Sequence, residues 1–217
     1  MKAPCVEFVI TEHPPAITDA REQHYEELRQ RLQDLAGVAV SSRRYDDPAD
    51  FDGAAAVVLS GSFEPWSVHS PRALAGLAER IGAYGGPVFG ICAGMQLQVM
   101  FAGGTVGPRA EPEVGFGAVE LLREDPLLEG LGPAPVVYMH HAEDVTAVPE
   151  ELVVLARSRG CAVEAIAAPE RRWWGTQFHP ECFSDAHPDG ARVLANFFSL
   201  AGVGEGRARG SAEPVAG

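Results

Sequence analysis

The sequence predicts a single α/β domain: a central, mostly parallel mixed sheet flanked by helices. Three observations carry this. Short, β-rich apolar runs alternate with amphipathic helical patterns through the first half of the chain, the order that builds parallel sheets covered on both faces. The 24 glycines and 17 prolines mark frequent tight turns between those elements. A length of 217 residues, 46% of them hydrophobic and 22% charged, suffices for one sizeable core and leaves little for a second.

Residues 6–10 form the first buried strand. A helix follows over 19–36, where Tyr25, Leu28, Leu32 and Leu35 recur at helical spacing and Gly37 ends the run. Strands are expected at 38–40 and 54–59, then a helix over 71–84 with Leu74, Leu77, Ala78 and Ile81 on one face. The strand at 88–91 runs directly into a helix over 92–101. From 105 to 168 the pattern shifts to short strands at 118–122, 136–139, 153–156 and 163–167, which add antiparallel pairing to the same domain. A strand at 173–178 and a helix over 188–200 close the fold. The domain is thus expected to occupy residues 1–201. Residues 202–217, rich in Gly, Ala, Arg and Glu without periodicity, read as a disordered tail.

Composition excludes several functions. Seventeen basic against thirty acidic residues give a net charge of −13. Tracking nucleic acid requires clustered Lys and Arg, and anionic lipid requires the same, so neither is an expected partner. No apolar run approaches the length of a bilayer span, and Glu7 and Glu12 interrupt the only apolar stretch near the N-terminus. A cytoplasmic protein is expected. The cysteines, Cys5, Cys92, Cys161 and Cys182, contain no Cys-x-x-Cys pair, and the seven histidines show no zinc-ligand spacing. Free thiols, no metal and no cofactor follow as expectations, with Cys5 and Cys161 as small core residues.

Two motifs carry chemistry. In Gly90-Ile91-Cys92-Ala93-Gly94-Met95-Gln96, a buried strand meets Gly-x-Cys-x-Gly and then a helix, the thiol form of a nucleophile elbow. Gly90 and Gly94 remove side chains that would collide across a sharp turn. The helix N-terminus directs N–H groups at the sulfur and favours the thiolate, and the Ala93 N–H can donate to an oxyanion. In Gln177-Phe178-His179-Pro180-Glu181, the two-residue spacing puts the imidazole and the carboxylate on one side of an extended segment. Such a carboxylate selects the tautomer and stabilises the imidazolium, so His179 can exchange protons with Cys92 and a leaving amine. Each motif alone is also compatible with plain structure, a tight turn holding a buried thiol or an ordinary loop. Their pairing, 87 residues apart, is what points to catalysis.

Together these motifs resemble the class I (triad) glutamine amidotransferase family, from about residue 6 to residue 200. The run Val57-Val58-Leu59-Ser60-Gly61, Gly103-Gly104, Val114-Gly115-Phe116 and the stretch around His141 also have counterparts there. The resemblance implies a flavodoxin-like sheet and hydrolysis of the glutamine side-chain amide through a γ-glutamyl thioester. It further implies Cys92 as nucleophile, His179 as base and acid, and Glu181 as orienter. Gln96, Gly115 and Phe116 would contact substrate. Ala93 with Ser62 or Gly61 would supply the oxyanion N–H groups, and His141 would face a partner. The chain departs from the family at Gly61-Ser62-Phe63, where Gly-Gly-Pro is usual. A serine resists φ > 0 where glycine accepts it, which bears on the second oxyanion donor.

Trp66, Trp173 and Trp174 could face a partner, and of the adjacent pair on one strand only one is expected to reach the core. The only lysine is Lys2, so no Gly-x-x-x-x-Gly-Lys loop exists. Nucleotide-dependent chemistry is therefore expected on a separate synthase that receives the ammonia. The same triad would also suit a stand-alone γ-glutamyl hydrolase or peptidase, and a relic site in a non-catalytic regulatory protein is the third reading.

Overall fold

The computed structural model describes residues 3–204. Its main sheet has eight strands in the order β2-β1-β3-β4-β10-β9-β8-β6. The parallel half comprises β1 (Cys5–Ile10), β2 (Ala39–Arg44), β3 (Ala56–Leu59), β4 (Val88–Ile91) and β10 (Trp173–Thr176). Antiparallel pairing then adds β9 (Ala165–Ala168), β8 (Val153–Arg157) and β6 (Glu120–Leu121). The fold class expected from the alternation is the one observed.

The helices match the periodicity closely. α1 (Asp19–Ala36) starts at Thr18, whose side chain accepts from the Arg21 N–H, and stops at Gly37 in the left-handed region. α2 (Pro71–Tyr84) is capped by Ser70, with Pro71 in its first turn. α3 (Ala93–Phe101) has Cys92 at its N-cap, and α4 (Asp189–Leu200) closes the fold. The ordered chain continues past the expected domain end: the Val203 N–H bonds back to the Phe198 carbonyl and Val203 is buried. The rest of the expected tail, residues 205–217, lies outside the described residues.

Two apolar layers sandwich the sheet. One centres on Phe8, Leu32, Phe89, Trp174 and Phe197, the other on Leu59, Leu77, Ile81, Met95 and Trp173. Trp173 and Trp174 are therefore both buried, correcting the expectation of one exposed ring. Because β10 is central and covered on both faces, alternate side chains each meet a helix layer.

The middle of the chain differs most from expectation. A separate two-stranded ribbon pairs β5 (Thr105–Ala118) with β7 (Val136–Ala147), and the expected strand at 118–122 is split at Val119 between β5 and β6. β5 alternates between partly buried and exposed positions and carries Gly, Pro and charge, so no apolar run announces it.

Candidate active site

β4 and β10 are adjacent and parallel, with Ile91 opposite Thr176. Residues that follow the two strands therefore meet at one sheet end, the usual ligand end of an open α/β sheet. The Cys92 N–H donates to the Thr176 carbonyl at 2.7 Å, fixing the elbow to the strand that leads into His179. Cys92 has φ 50° and ψ −105°, a strained conformation for a side-chain-bearing residue. Both elbow glycines are required by close approach. A Cβ on Gly90 would run into the Met95 nitrogen and the Gly94 carbonyl carbon, and one on Gly94 into the Leu59 backbone.

His179 Nδ1 lies 2.7 Å from Glu181 Oε1, so the carboxylate holds the Nδ1 proton and leaves Nε2 facing the cysteine side. His179 Nε2 and Cys92 Sγ both approach the His140 carbonyl oxygen, at 3.3 and 3.8 Å. Gln177 donates its side-chain N–H to Cys92 Sγ at 3.4 Å. Burial would by itself lower the His179 pKa, but the Glu181 carboxylate and the Cys92 sulfur outweigh it and hold the imidazolium well above the ordinary histidine range. Arg31 on α1 donates to the main-chain carbonyl of Glu181 at 2.5 Å, fixing the turn that carries the orienter.

The loop after β3 covers this pair. Gly61 packs so tightly that a Cβ would sit 3.1 Å from His179 Cε1. Among the described residues only Cys92 and Arg172 combine a side chain with positive φ. Ser62 therefore occupies its place without the strain that the Gly-to-Ser departure raised. The loop is shaped by Glu12, which is fully buried at the end of β1. Glu12 Oε2 accepts the Phe63 N–H at 2.9 Å and the Tyr25 hydroxyl at 3.3 Å, while its Oε1 lies 3.2 Å from Ser62 Oγ. The N–H groups of Ser62 and Ala93 engage no protein acceptor among the described residues.

A cavity of about 460 Å³ opens over the thiol, lined by Tyr25, Ser62, Trp66, Gln96, His140 and Glu143 among others, a volume suited to a small metabolite. Gln96 is pinned there: its amide accepts from the Trp66 indole N–H at 2.9 Å and donates to the Glu143 carbonyl at 2.9 Å. Trp66 is thus part of the cavity wall rather than a partner-facing ring.

The structure unites Cys92, His179, Glu181, Gln96, Ala93, Gly61 and Ser62 around one cavity whose lining also includes His141, but not Gly115 and Phe116. Gly115 and Phe116 do not line the cavity. Phe116 stacks on His187 with ring centres 4.1 Å apart. His141 belongs to the cavity lining but not to an exposed, partner-facing rim: only 4% of it is exposed, because the alternation along β7 turns its side chain inward. Glu12, Tyr25 and His140 were not foreseen, since no local spacing ties them to the motifs. Gln177 was visible in the second motif but carried no signal of contact with the thiol.

A strained thiol at a strand-to-helix turn beside a carboxylate-held imidazole is the layout of a triad amidohydrolase. The chain belongs to the class I glutamine amidotransferases: the model of that family matches residues 16–201. Among its relatives is the glutamine-hydrolyzing GMP synthase of Salmonella typhimurium, 32% identical over 200 residues, a match covering 87% of this chain and 37% of that protein. Another relative is a single subunit of the glutamine-hydrolyzing GMP synthase of Methanococcoides burtonii, 43% identical over 117 residues, or 52% of this chain and 59% of that one. The matches therefore span less than two thirds of the length of these relatives. A Thermoplasma acidophilum protein assigned to the GMP synthase subunits shares the fold, with a TM-score of 0.75 over 93% of this chain and 95% of that one at 22% identity.

Proposed function

We propose that the chain is a glutaminase which hydrolyses the side-chain amide of glutamine and passes ammonia to a separate synthase. The observation that carries this is the convergence of Cys92, His179 and Gln177 at one sheet end, with Ser62 and Ala93 in the wall of the same cavity. The sulfur attacks the amide carbon, and the Ser62 and Ala93 N–H groups donate to the developing oxyanion. His179 gives its proton to the amide nitrogen, the C–N bond breaks and ammonia leaves, with Cys92 held as a γ-glutamyl thioester. Water then loses a proton to His179 and attacks the thioester, releasing glutamate and the thiol. Glu181 orients the imidazole throughout and compensates its charge. Gln96, fixed by Trp66 and Glu143, is positioned to hold the glutamine.

The resemblance to glutamine-hydrolyzing GMP synthases supports an acceptor enzyme of that kind on another polypeptide. The net charge of −13 and the four free thiols fit a reducing, cytoplasmic setting. No helix among the described residues is long and apolar enough to cross a membrane.

The test uses the purified chain with and without the candidate synthase, measuring glutamate and ammonia. Cys92→Ala is expected to abolish glutamine-dependent synthesis while ammonia-dependent synthesis by the partner persists. An electrophilic glutamine analogue should label Cys92 and spare Cys5, Cys161 and Cys182. Full turnover in Cys92→Ala, or label on Cys182, would overturn the assignment. A preference for γ-glutamyl amines over glutamine would instead identify a self-sufficient hydrolase.

A further inference from the structure

Three residues distant in sequence meet in the interior, two of them, Cys161 and Glu164, outside the cavity lining. His141 enters from β7, Cys161 from the β8–β9 connection and Glu164 from the residue preceding β9, and they are 4%, 2% and 0% exposed. Their ligand-type atoms all lie within 4.8 Å of one another. These are the nitrogen, sulfur and oxygen donors that a borderline-soft divalent ion accepts.

Polar bookkeeping singles out the same spot. Buried polar atoms are almost always hydrogen-bonded, and each exception needs a reason. Both Glu164 carboxylate oxygens and both His141 ring nitrogens have no hydrogen-bond partner among the described residues. Asp144 Oδ1 comes within 3.1 Å of His141 Nδ1, and Glu113 Oε2 within 3.7 Å of Nε2, without completing a hydrogen bond. The charges are also unequal. Glu113, Asp144 and Glu164 face one guanidinium, Arg109, which pairs with Asp144 at 2.7 Å and Glu113 at 3.1 Å. With all three carboxyls and the Cys161 thiol ionised, three negative charges remain against Arg109, and a divalent cation would offset two of them.

We propose that His141, Cys161 and Glu164 bind one Zn²⁺ ion that ties the β5–β7 ribbon to the antiparallel half of the main sheet. Small side-chain adjustments bring the three donors to the usual bond lengths of about 2.0–2.3 Å. Asp144 stands beside them as a fourth ligand or as the acceptor for the free imidazole N–H. Binding releases the Cys161 proton, which burial otherwise holds on the sulfur. The ion takes no part in amide hydrolysis: successive side chains on β7 point to opposite faces, so the His140 and His141 rings project apart, and Cys161 and Glu164 lie outside the cavity lining. The site gives the ribbon an anchor that its polar strands do not supply.

The experiment loads untagged protein with Zn²⁺, removes loose metal by dialysis and measures the zinc retained. Co²⁺ substitution then reports the ligands. One zinc per chain and a thiolate-to-cobalt charge-transfer band are expected, the band being lost in Cys161→Ser and kept in Cys182→Ser. The second variant matters because His179, Glu181 and Cys182 are the other cluster of ligand-type atoms among the described residues. A wild-type protein with no retained zinc and no band overturns the proposal, as does a band that survives Cys161→Ser or disappears in Cys182→Ser. Should Cys161→Ser fail to fold, Glu164→Gln replaces it, with at least a tenfold loss in zinc affinity expected and unchanged affinity refuting.

Discussion

Replacing Cys92 by glycine is expected to leave a more stable protein than replacing it by alanine, although alanine keeps the Cβ that nearly every buried site prefers. The reason is the backbone at φ 50° and ψ −105°. Holding a side-chain-bearing residue in such a sparsely populated region costs about 1–3 kcal/mol, and glycine removes most of that cost. Against it stands the greater freedom glycine has in the unfolded chain, about 0.5–1 kcal/mol. At mid-range values the net advantage of Cys92→Gly over Cys92→Ala is therefore about 1 kcal/mol. For a chain of this size each kcal/mol moves the midpoint by roughly 2–4 °C, so a gap of that size should appear in thermal unfolding. Urea titration should show the same order with unchanged m-values. Arg172→Gly supplies a calibration, since Arg172, at φ 55° and ψ 40°, sits in the ordinary left-handed well. An alanine variant as stable as the glycine variant, or more so, would refute the claim that the elbow stores strain.

Glu181→Gln should lower turnover by roughly a thousandfold or more, because the imidazole loses the group that orients it and balances its charge. Since His179 titrates well above its ordinary value, its stabilising contribution is full below about pH 6.5 and is lost as pH rises through the folded pKa. Chemical denaturation across that range should slope downward in wild type and flatten in Glu181→Gln; parallel curves would refute the coupling. Ser62→Gly should change turnover by no more than a few-fold, because Ser62 is not held at positive φ; a loss on the scale of a missing oxyanion donor, about 100- to 1000-fold, would show that the serine itself is required. Glu12→Gln introduces an amide NH₂ where the carboxylate accepts from Phe63 and Tyr25. It should lower kcat with little change in Michaelis constant and cost about 1.5–3 kcal/mol of stability; wild-type kcat would refute a role in holding the oxyanion loop.

The helices and the parallel strands were legible because burial imposes a period. α1 and α2 match their expected bounds, since the apolar stripe, the cap and the stop signal agree. β5 and β7 pair chiefly with each other, face solvent along much of their length and need no apolar alternation, so only fragments of them showed. The triad was legible for a related reason: the elbow and the His-Pro-Glu turn are local devices whose residues sit close in sequence. Glu12, Tyr25 and His140 reach the same cavity from three other elements, and only tertiary packing brings them there. His141 illustrates the opposite error. A two-residue period along β7 would have turned it inward, but the polar run Met139-His140-His141-Ala142-Glu143 masked the strand.

The insertion of β10 between β4 and β9 has a consequence for the chain while it is being made. The last residue of β4 is made 85 residues before Thr176 completes β10, an interval of roughly 4–17 s at ordinary translation rates. Through that time the edge of β4 has no neighbour, and an unpaired apolar edge invites pairing with another nascent chain. On the proposed mechanism the thiol is then present without His179, so a half-made domain would not hydrolyse glutamine. The last strand thus seals the sheet and arms the site in one event. Ribosome-stalled chains ending before β10 should accordingly be inert toward glutamine and the most aggregation-prone of any length.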